Sequence, residues 1–202
     1  MKIAVLASGS GTNLQALIDQ LHHDKNSGVE IAVVISDRRK AYALTRAKEA
    51  GIPTHVVRVR DFPDRDAFDA EISKILDRYE VELIILAGFM KLFQPAFVRK
   101  YRNRIINIHP SLLPAFPGAH SVPDTLAYGA KISGVTVFFI DEGIDTGPII
   151  AQASVPVFDD DDEESLFKRI HIEEHKLYPQ VVRWCAAGRL EIVGRKVLVK
   201  ES

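Results

Sequence analysis

The chain has a single cysteine, Cys185, among its 202 residues, so no internal disulfide can form. This shortage favours a reducing compartment, because disulfides accumulate in oxidising ones. Cys185 lies in the apolar stretch Val-Val-Arg-Trp-Cys-Ala-Ala, which predicts a buried structural thiol and not a nucleophile. The N-terminal apolar run, residues 3–7, is too short for a signal peptide or a membrane span. We therefore expect a cytoplasmic protein with no membrane partner.

The numbers of basic and acidic residues are nearly equal, with 26 Lys and Arg and 27 Asp and Glu for a net charge of -1. This balance excludes a chain-wide basic field for nucleic acid, so any anion must be recognised locally. Hydrophobic residues make up 47% and charged residues 26%, which argues against disorder and against a coiled coil. Internal repeats and long linkers are missing too, and 202 residues fit a single domain, 1–202.

Short apolar runs rich in β-branched residues alternate with stretches of helical spacing in the first half of the chain. The apolar runs predict strands buried on both faces at residues 3–7, 31–36, 54–59, 83–87 and 105–108. Helical spacing predicts helices at residues 13–23, 42–50, 64–79 and 95–101. This alternation indicates a parallel sheet with right-handed crossovers.

The pattern changes after His120. A short helix is predicted at 123–128, followed by strands at 134–140 and 149–157 whose spacing allows antiparallel pairing at a sheet edge. Six acidic residues, 159–164, precede an amphipathic stretch that runs to Ala187, and we interpret them as a solvated helix N-terminus and not as a metal cluster. A short basic hairpin with Gly194 at its turn closes the chain. We predict an α/β fold, a doubly wound, mostly parallel sheet with antiparallel edge strands toward the C-terminus.

A glycine-rich turn, Ser-Gly-Ser-Gly-Thr-Asn at 8–13, connects the first strand to the first helix. Backbone N–H groups and the helix dipole hold phosphates in such an arrangement. Leu14 stands where a dinucleotide fingerprint needs its third glycine, and no P-loop Gly-Lys-Ser/Thr follows. A phosphate monoester is therefore the expected guest. The alternative is a tight turn in which Thr12 or Asn13 caps the helix.

A second turn of interest is apolar. Its sequence is Gly-Phe-Met-Lys-Leu-Phe at 88–93, and it follows the strand at 83–87. Ligands bind at the carboxyl ends of strands in open α/β sheets, so Met90, Leu92 and Phe93 are candidates to line a pocket for a flat apolar ring. The alternative is ordinary core packing.

The next strand ends at Asn107, and a stiff loop with His109 follows. An amide donor and an imidazole side by side can hold an oxygen on which negative charge develops. Pro110, Pro114 and Pro117 lower the entropy of the unfolded loop and help to keep its shape. The alternative is that His109 merely hydrogen-bonds its own loop.

An acidic loop at 141–147, Asp-Glu-Gly-Ile-Asp-Thr-Gly, follows the strand at 134–140. A carboxylate from this loop is expected to face His109, favour the imidazolium and accept a proton through water. Taken alone, the loop reads as an ordinary turn. Ser111 beside His109 suggests a serine hydrolase, but no G-x-S-x-G elbow surrounds it.

The segment His171-Ile-Glu-Glu-His175 matches an H-x-x-E-H zinc pattern with both histidines on one helical face. A third ligand is needed, and only Glu191 and Glu201 remain downstream as acidic candidates. We therefore expect no metal, and interpret the segment as a helix face with Glu174 near a substrate hydroxyl.

Five segments together resemble the folate-dependent formyltransferase family, and within it the phosphoribosylglycinamide formyltransferases of purine biosynthesis. They are SGSGTNLQ at 8–15, LAGFM at 86–90, NIHPSLLP at 107–114, FPGAH at 116–120 and DEGIDTGP at 141–148. The NIHPSLLP segment is shared with formyl-folate hydrolases, whereas the glycine-rich loop is typical of the glycinamide ribonucleotide enzymes. Length agrees, because the hydrolases and the methionyl-tRNA enzymes carry an extra domain.

The resemblance implies roles for particular residues. Gly11, Thr12 and Asn13 hold the ribonucleotide phosphate, while His171 and Glu174 contact the same substrate, Glu174 at the ribose. The residues implied for the co-substrate 10-formyltetrahydrofolate are Arg65, Met90, Lys91, Leu92, Phe93, Asn107, Asp141, Glu142, Gly143, Ile144 and Asp145. The resemblance also implies three segments: a phosphate-binding half at 1–100, a catalytic and folate-binding half at 101–190 and a hairpin at 191–202.

The implied catalytic residues are Asn107, His109 and Asp145. The substrate amine attacks the formyl carbon, Asn107 and protonated His109 stabilise the oxyanion, and Asp145 supports the imidazolium and helps to move the amine proton. Phe138 stands where the family usually has histidine, and His171 where glutamine is familiar.

Two kinds of alternative remain open. A formyl-folate hydrolase or a sugar-amine formyltransferase would use the same three residues, and a nucleotide-binding module would do no chemistry. The expected partners are small-molecule substrates and no nucleic acid, in a monomer or a homodimer.

Overall fold

The computed structural model describes residues 1–201, which form one seven-stranded sheet, a separate two-stranded hairpin and six α-helices. The strands are β1 (Lys2–Leu6), β2 (Glu30–Ser36), β3 (Thr54–Val56), β4 (Leu83–Leu86), β5 (Ile105–His109), β6 (Ile132–Phe139), β7 (Ile149–Pro156), β8 (Leu190–Val193) and β9 (Lys196–Val199). The helices are α1 (Thr12–Leu17), α2 (Tyr42–Glu49), α3 (Arg65–Arg78), α4 (Pro95–Lys100), α5 (Ser121–Tyr128) and α6 (Glu163–Ala186).

The sheet has the strand order β3-β2-β1-β4-β5-β6-β7. β1 pairs in parallel with β2 and β4, β2 pairs in parallel with β3, and β6 pairs antiparallel with β7. The predicted doubly wound sheet with antiparallel strands toward the C-terminus is confirmed. The order reverses between β1 and β4, and ligands bind at the carboxyl ends of strands at such a switch point.

The chain divides into two compact units, residues 1–106 and the part from Asn107 onward. In the first unit, Ile3, Val33 and Ile85 are fully buried on neighbouring strands, which explains why these strands are almost continuously apolar. In the second unit, α6 packs against β6 and β7, and Phe138 and Tyr178 are fully buried.

Two predicted elements depart from their predicted boundaries by more than two residues. The helix predicted at 13–23 is α-helical only to Leu17, after which a wider π-type turn, Ile18–His22, keeps Ile18 and Leu21 buried. The strand predicted at 54–59 ends at Val56. Arg58 makes two hydrogen bonds of 2.7 Å to the carboxylate of Asp61, and this local pair closes a 3₁₀ turn instead of extending the strand.

The acidic run before α6 is a helix N-terminus, as predicted, although the side chain of one member is shielded from solvent. Asp162 caps α6 in a reciprocal pair with Ser165. Asp161 is nearly inaccessible and binds the guanidinium of Arg169, which holds the pKa of its carboxyl at about 2.

Cys185 is half-buried, and burial raises the pKa of its thiol to about 12, which suits a structural residue. Within residues 1–201, no helix combines the length and the apolar character needed to cross a membrane.

Candidate active site

His109, the last residue of β5, lies beside a carboxylate of the acidic loop. The distance between His109 Nδ1 and Asp145 Oδ2 is 3.6 Å, and the exposed fractions of the two side chains are 6% and 14%. Asp145 has a φ of 54°, and its Oδ2 also accepts the N–H of Gly118 at 2.7 Å. A non-glycine residue in this left-handed region is uncommon, so the surrounding bonds hold it there. The structure thus sets a predicted carboxylate against the predicted imidazole.

The other ring nitrogen of His109 binds the backbone of the loop that follows β5, although the sequence pattern predicts His109 to lie in that loop. Nε2 lies 2.9 Å from the carbonyl oxygen of Phe116, and it must donate the proton because a carbonyl only accepts. Both sequence interpretations of His109 therefore describe part of the geometry. Asn107 lies two residues earlier on β5 and on the same face of the strand. It is half-buried, and its side-chain amide makes no hydrogen bond within residues 1–201.

The turn that follows β5 is anchored by two side chains that sequence reasoning missed. Thr136 Oγ1 donates to the carbonyl of Ser111 at 2.7 Å and accepts the N–H of Leu113 at 3.0 Å. Gln152 Nε2 donates to the Leu113 carbonyl and to Thr136 Oγ1, both at 2.9 Å. No local pattern announces these bonds, since the partners are 16 to 39 residues apart. Ser111 is fully buried, and its hydroxyl donates to the carbonyl of Ala115 at 2.7 Å, which does not support a nucleophile.

The acidic loop is held internally. Asp141 Oδ1 accepts the N–H of Gly143 at 3.0 Å and the hydroxyl of Thr146 at 2.6 Å. Gly147 passes so close to the carbonyl of Phe139 that a Cβ there would lie 1.7 Å from the oxygen. The loop residues predicted to contact folate are all at least partly accessible: Asp141, Glu142, Gly143, Ile144 and Asp145.

In the first unit, the glycine-rich turn leads from β1 into α1. α1 begins at Thr12 with Gly11 at the N-cap, so the alternative in which Thr12 or Asn13 caps the helix is wrong. Gly11 has a φ of 72°, and a Cβ at this position would lie 2.7 Å from the Cβ of Ala43. Only glycine fits this conformation and this close approach without strain.

Helix α2 binds the carbonyl groups of the same turn. The N–H of Ala43 donates to the Gly9 carbonyl at 3.1 Å, and Arg46 Nε donates to the Ser10 carbonyl at 2.9 Å. A trans peptide directs its C=O and the following N–H to opposite sides. The N–H groups of Ser10 and Gly11 therefore point away from α2, as an anion-binding turn requires.

The turn after β4 presents apolar side chains to solvent. Met90 is 59% exposed and Leu92 67% exposed, so ordinary core packing does not describe them. Phe93 differs, because its ring stacks on that of Phe97 with centroids 4.1 Å apart. An exposed apolar pair backed by stacked aromatic rings is suited to covering a flat ligand ring.

Two charged side chains tie this turn to its surroundings in the first unit. Arg65, the first residue of α3, donates to the Leu92 carbonyl. Lys91 Nζ lies 3.7 Å from Asp37 Oδ2, and Asp37 is buried at the end of β2. Both residues predicted from the resemblance thus hold the turn itself.

His171 and Glu174 lie on consecutive turns of α6. Glu174 is buried, whereas the His171 side chain is 42% exposed, and the distance between His171 Nε2 and Glu174 Oε2 is 3.8 Å. Burial lowers the pKa of His171. Its ring stacks on that of His175 with centroids 6.1 Å apart, and no third metal-ligating group joins them within residues 1–201.

The predicted site residues are thus distributed over both units. The first unit holds Gly11, Thr12, Asn13, Arg65, Met90, Lys91, Leu92 and Phe93. The second holds Asn107, His109, Asp141, Glu142, Gly143, Ile144, Asp145, His171 and Glu174. A buried imidazole against a carboxylate, near an amide on the same strand face, is a suitable arrangement for acid-base chemistry on an acyl group.

The family model for formyl transferases matches residues 1–182, so the chain belongs to the formyl transferase family. The family and the enzyme class predicted from the sequence, a transferase of formyl groups, are confirmed.

Particular relatives are similar over almost the whole chain. Phosphoribosylglycinamide formyltransferase of Escherichia coli (strain K12) is 43% identical over 95% of this chain and 90% of its own length. The trifunctional purine biosynthetic protein adenosine-3 of Drosophila pseudoobscura pseudoobscura is 49% identical over 95% of this chain, which spans 14% of that longer protein. The crystal structure of glycinamide ribonucleotide transformylase 1 from Symbiobacterium toebii has a TM-score of 0.94 and 46% identity, covering 100% of this chain and 94% of that one.

Proposed function

We propose that this chain transfers the formyl group of 10-formyltetrahydrofolate to the amine of 5′-phosphoribosylglycinamide, as a step of de novo purine biosynthesis. The products are formylglycinamide ribonucleotide and tetrahydrofolate. The observation that carries the proposal is the His109–Asp145 pair at 3.6 Å, inside the segment that matches the formyl transferase family. The similarity to phosphoribosylglycinamide formyltransferases supports this choice of substrate.

The proposed reaction is a direct transfer. The amine nitrogen bonds to the formyl carbon, the bond from that carbon to N10 of the folate breaks, and the amine proton passes to N10. The formyl oxygen is an oxyanion in the tetrahedral intermediate, where the Asn107 amide and the His109 Nε2–H donate to it. Nε2–H now donates to the Phe116 carbonyl, so that bond must be exchanged on the way to the intermediate. Asp145 faces Nδ1, holds the ring and relays the amine proton through water.

The phosphate of the glycinamide ribonucleotide is assigned to Gly11, Thr12 and Asn13. Support comes from α2, which binds the turn's carbonyl groups and leaves N–H groups directed to the opposite side. His171 and Glu174 are assigned to the same substrate, with the buried Glu174 carboxylate accepting from a ribose hydroxyl and His171 donating a hydrogen bond.

The formyl donor is assigned to the turn at 90–93, to Arg65, to Asn107 and to the acidic loop from Asp141 to Asp145. The exposed side chains of Met90 and Leu92 support an apolar ring contact, because solvent exposure of such a pair is otherwise unfavourable. No metal takes part in the proposed reaction. Phe138 is fully buried in β6 and brings no polar group to the site.

The division into a phosphate-binding half at 1–100, a catalytic and folate-binding half at 101–190 and a hairpin at 191–202 belongs to the same proposal. So do the cytoplasmic location, the small-molecule partners and a monomeric or homodimeric state.

A spectrophotometric formyl-transfer assay tests the proposal. We expect folate turnover only when 5′-phosphoribosylglycinamide is present, and a loss of at least about 100-fold in His109→Ala, since oxyanion and acid-base roles coincide there. His23→Ala, which removes an exposed histidine at the end of the π-type turn, is the control. Turnover without the amine would indicate a formyl-folate hydrolase. Turnover only with another amino sugar would indicate a different formyltransferase, and an unchanged rate in His109→Ala would contradict the mechanism.

A further inference from the structure

The C-terminal hairpin makes a specific contact with the loop that carries Asp145. Strands β8 and β9 pair antiparallel with Val193 opposite Lys196, so Gly194 and Arg195 form a two-residue turn. Gly194 has a φ of 62°, whereas Arg195 does not have a positive φ, which is the pattern of a type II′ turn. Such a turn matches the twist of its strands and therefore directs its second residue in a defined way.

Arg195 extends from this turn to the acidic loop. Its Nη2 donates to the carbonyl oxygen of Thr146 at 2.8 Å, across 49 residues of sequence. Thr146 follows Asp145 directly, so the bonded carbonyl belongs to the peptide group next to the one that Asp145 contributes. β9 is itself supported, because it contacts β7 and because Arg189 donates to the Lys200 carbonyl at 2.7 Å.

Two of the side-chain hydrogen bonds of the acidic loop close within the loop itself. Asp141 binds Gly143 and Thr146, and all three lie within the loop. Asp145 holds an uncommon φ of 54°, a conformation that returns to ordinary values unless its neighbours oppose it. The Arg195 contact lies on the C-terminal side of that residue, and the bond from Gly118 to the Asp145 carboxylate lies on its side chain.

We propose that Arg195 is a positioning residue, which holds the Thr146 carbonyl and thereby keeps the Asp145 carboxylate against His109. This inference rests on the proposed function, in which Asp145 holds the His109 ring and relays the amine proton. Arg195 acts through the loop and touches neither substrate. The hairpin is then a part of the catalytic apparatus and not an appendage.

Replacing Arg195 tests the inference. Arg195→Met keeps most of the side-chain stem and removes every donor, so we expect kcat for formyl transfer to fall about fivefold to tenfold, as for loss of one ordinary solvent-exposed hydrogen bond. Arg195→Lys keeps a donor and should restore part of the rate. Lys196→Met removes the same charge from the next residue, which is exposed, and should change kcat by less than about twofold.

A double substitution separates positioning from a general loss of structure. If Arg195 acts through Asp145, Arg195→Met should reduce the rate no further once Asp145→Asn is present. A full additional loss in that background would overturn the inference, and so would equal losses in Arg195→Met and Lys196→Met.

Amide hydrogen exchange of the segment 141–148 provides a readout that does not depend on activity. Exchange should be faster in Arg195→Met than in the wild type, and unchanged in Lys196→Met. Equal protection in all three proteins would overturn the inference even if the chain catalysed another reaction. A wild type without formyl transfer, together with faster exchange in Arg195→Met, would instead refute the proposed function and keep the contact.

Discussion

Thr136 is expected to contribute more to stability than any neighbouring hydroxyl, because one buried oxygen serves three hydrogen bonds. Thr136→Val keeps the shape of the side chain and removes its donor and acceptor. Gln152 retains the Leu113 carbonyl as a partner, but the Leu113 N–H and the Ser111 carbonyl are left unpaired at buried positions. Each orphaned group costs about 1–3 kcal/mol, so the free energy of unfolding should fall by about 2–6 kcal/mol.

Urea denaturation of wild type and variant measures this loss, and thermal denaturation should show a midpoint about 10 °C lower. Thr125→Val is the matched control. Thr125 is also fully buried, but its hydroxyl makes a single bond, to the Ser121 carbonyl in the same helix at 2.7 Å. We expect its loss to cost about 1 kcal/mol. The reasoning fails if Thr136→Val costs no more than Thr125→Val, since the number of partners would then not decide the effect.

Three further outcomes follow from contacts described above. Gly147→Ala should destabilise the fold by about 3 kcal/mol or more in urea denaturation, because the added Cβ meets a carbonyl oxygen, while Gly9→Ala, with no atom within 4 Å of its Cβ, should change stability by about 0.5 kcal/mol or less. The pKa of Asp161 is about 2, below its ordinary 3.8, so the ionised carboxylate stabilises the fold above pH 3.8 and loses this effect as pH falls toward 2. The difference between the thermal midpoints of wild type and Asp161→Asn should therefore disappear over that pH range. Asp160→Asn, at an exposed site, should show no comparable difference. Cys185, with a pKa of about 12, should resist iodoacetamide at pH 8 in the folded protein and react in urea, as mass spectrometry would reveal; rapid reaction of the folded protein would contradict its structural role.

Sequence reasoning predicted the strands well where burial on both faces leaves a continuous apolar run. β1 and β4 are such cases, and their ends differ from the predicted ends by at most one residue. It was less accurate where side chains close local turns. Val59 is a residue type typical of strands, yet it lies in the 3₁₀ turn that the Arg58–Asp61 pair closes. The local bond costs less chain entropy than continued strand pairing.

The candidate site shows the same division. His109 and Asp145 carry recognisable chemistry next to glycine and proline, so their sequence context draws attention to them. The sequence gives no such signal for Thr136, Gln152 and Arg195. Each is an ordinary residue in an ordinary strand or turn, and each binds a backbone group distant in sequence. Contacts of this kind depend on how the chain folds back on itself, and no periodicity records them.

The hydrogen bond from His109 Nε2 to the Phe116 carbonyl affects which state of the reaction the histidine stabilises. A formyl oxygen in the bound reactant is an acceptor of about the same strength as a peptide carbonyl, so the histidine gains little by changing partners at that stage. Once the carbon becomes tetrahedral, its oxygen carries negative charge and attracts the N–H much more strongly. Under the proposed mechanism, the Phe116 carbonyl competes with the formyl oxygen for the His109 N–H. Only the charged oxygen of the intermediate displaces this carbonyl, so the histidine stabilises the intermediate more than the bound reactant.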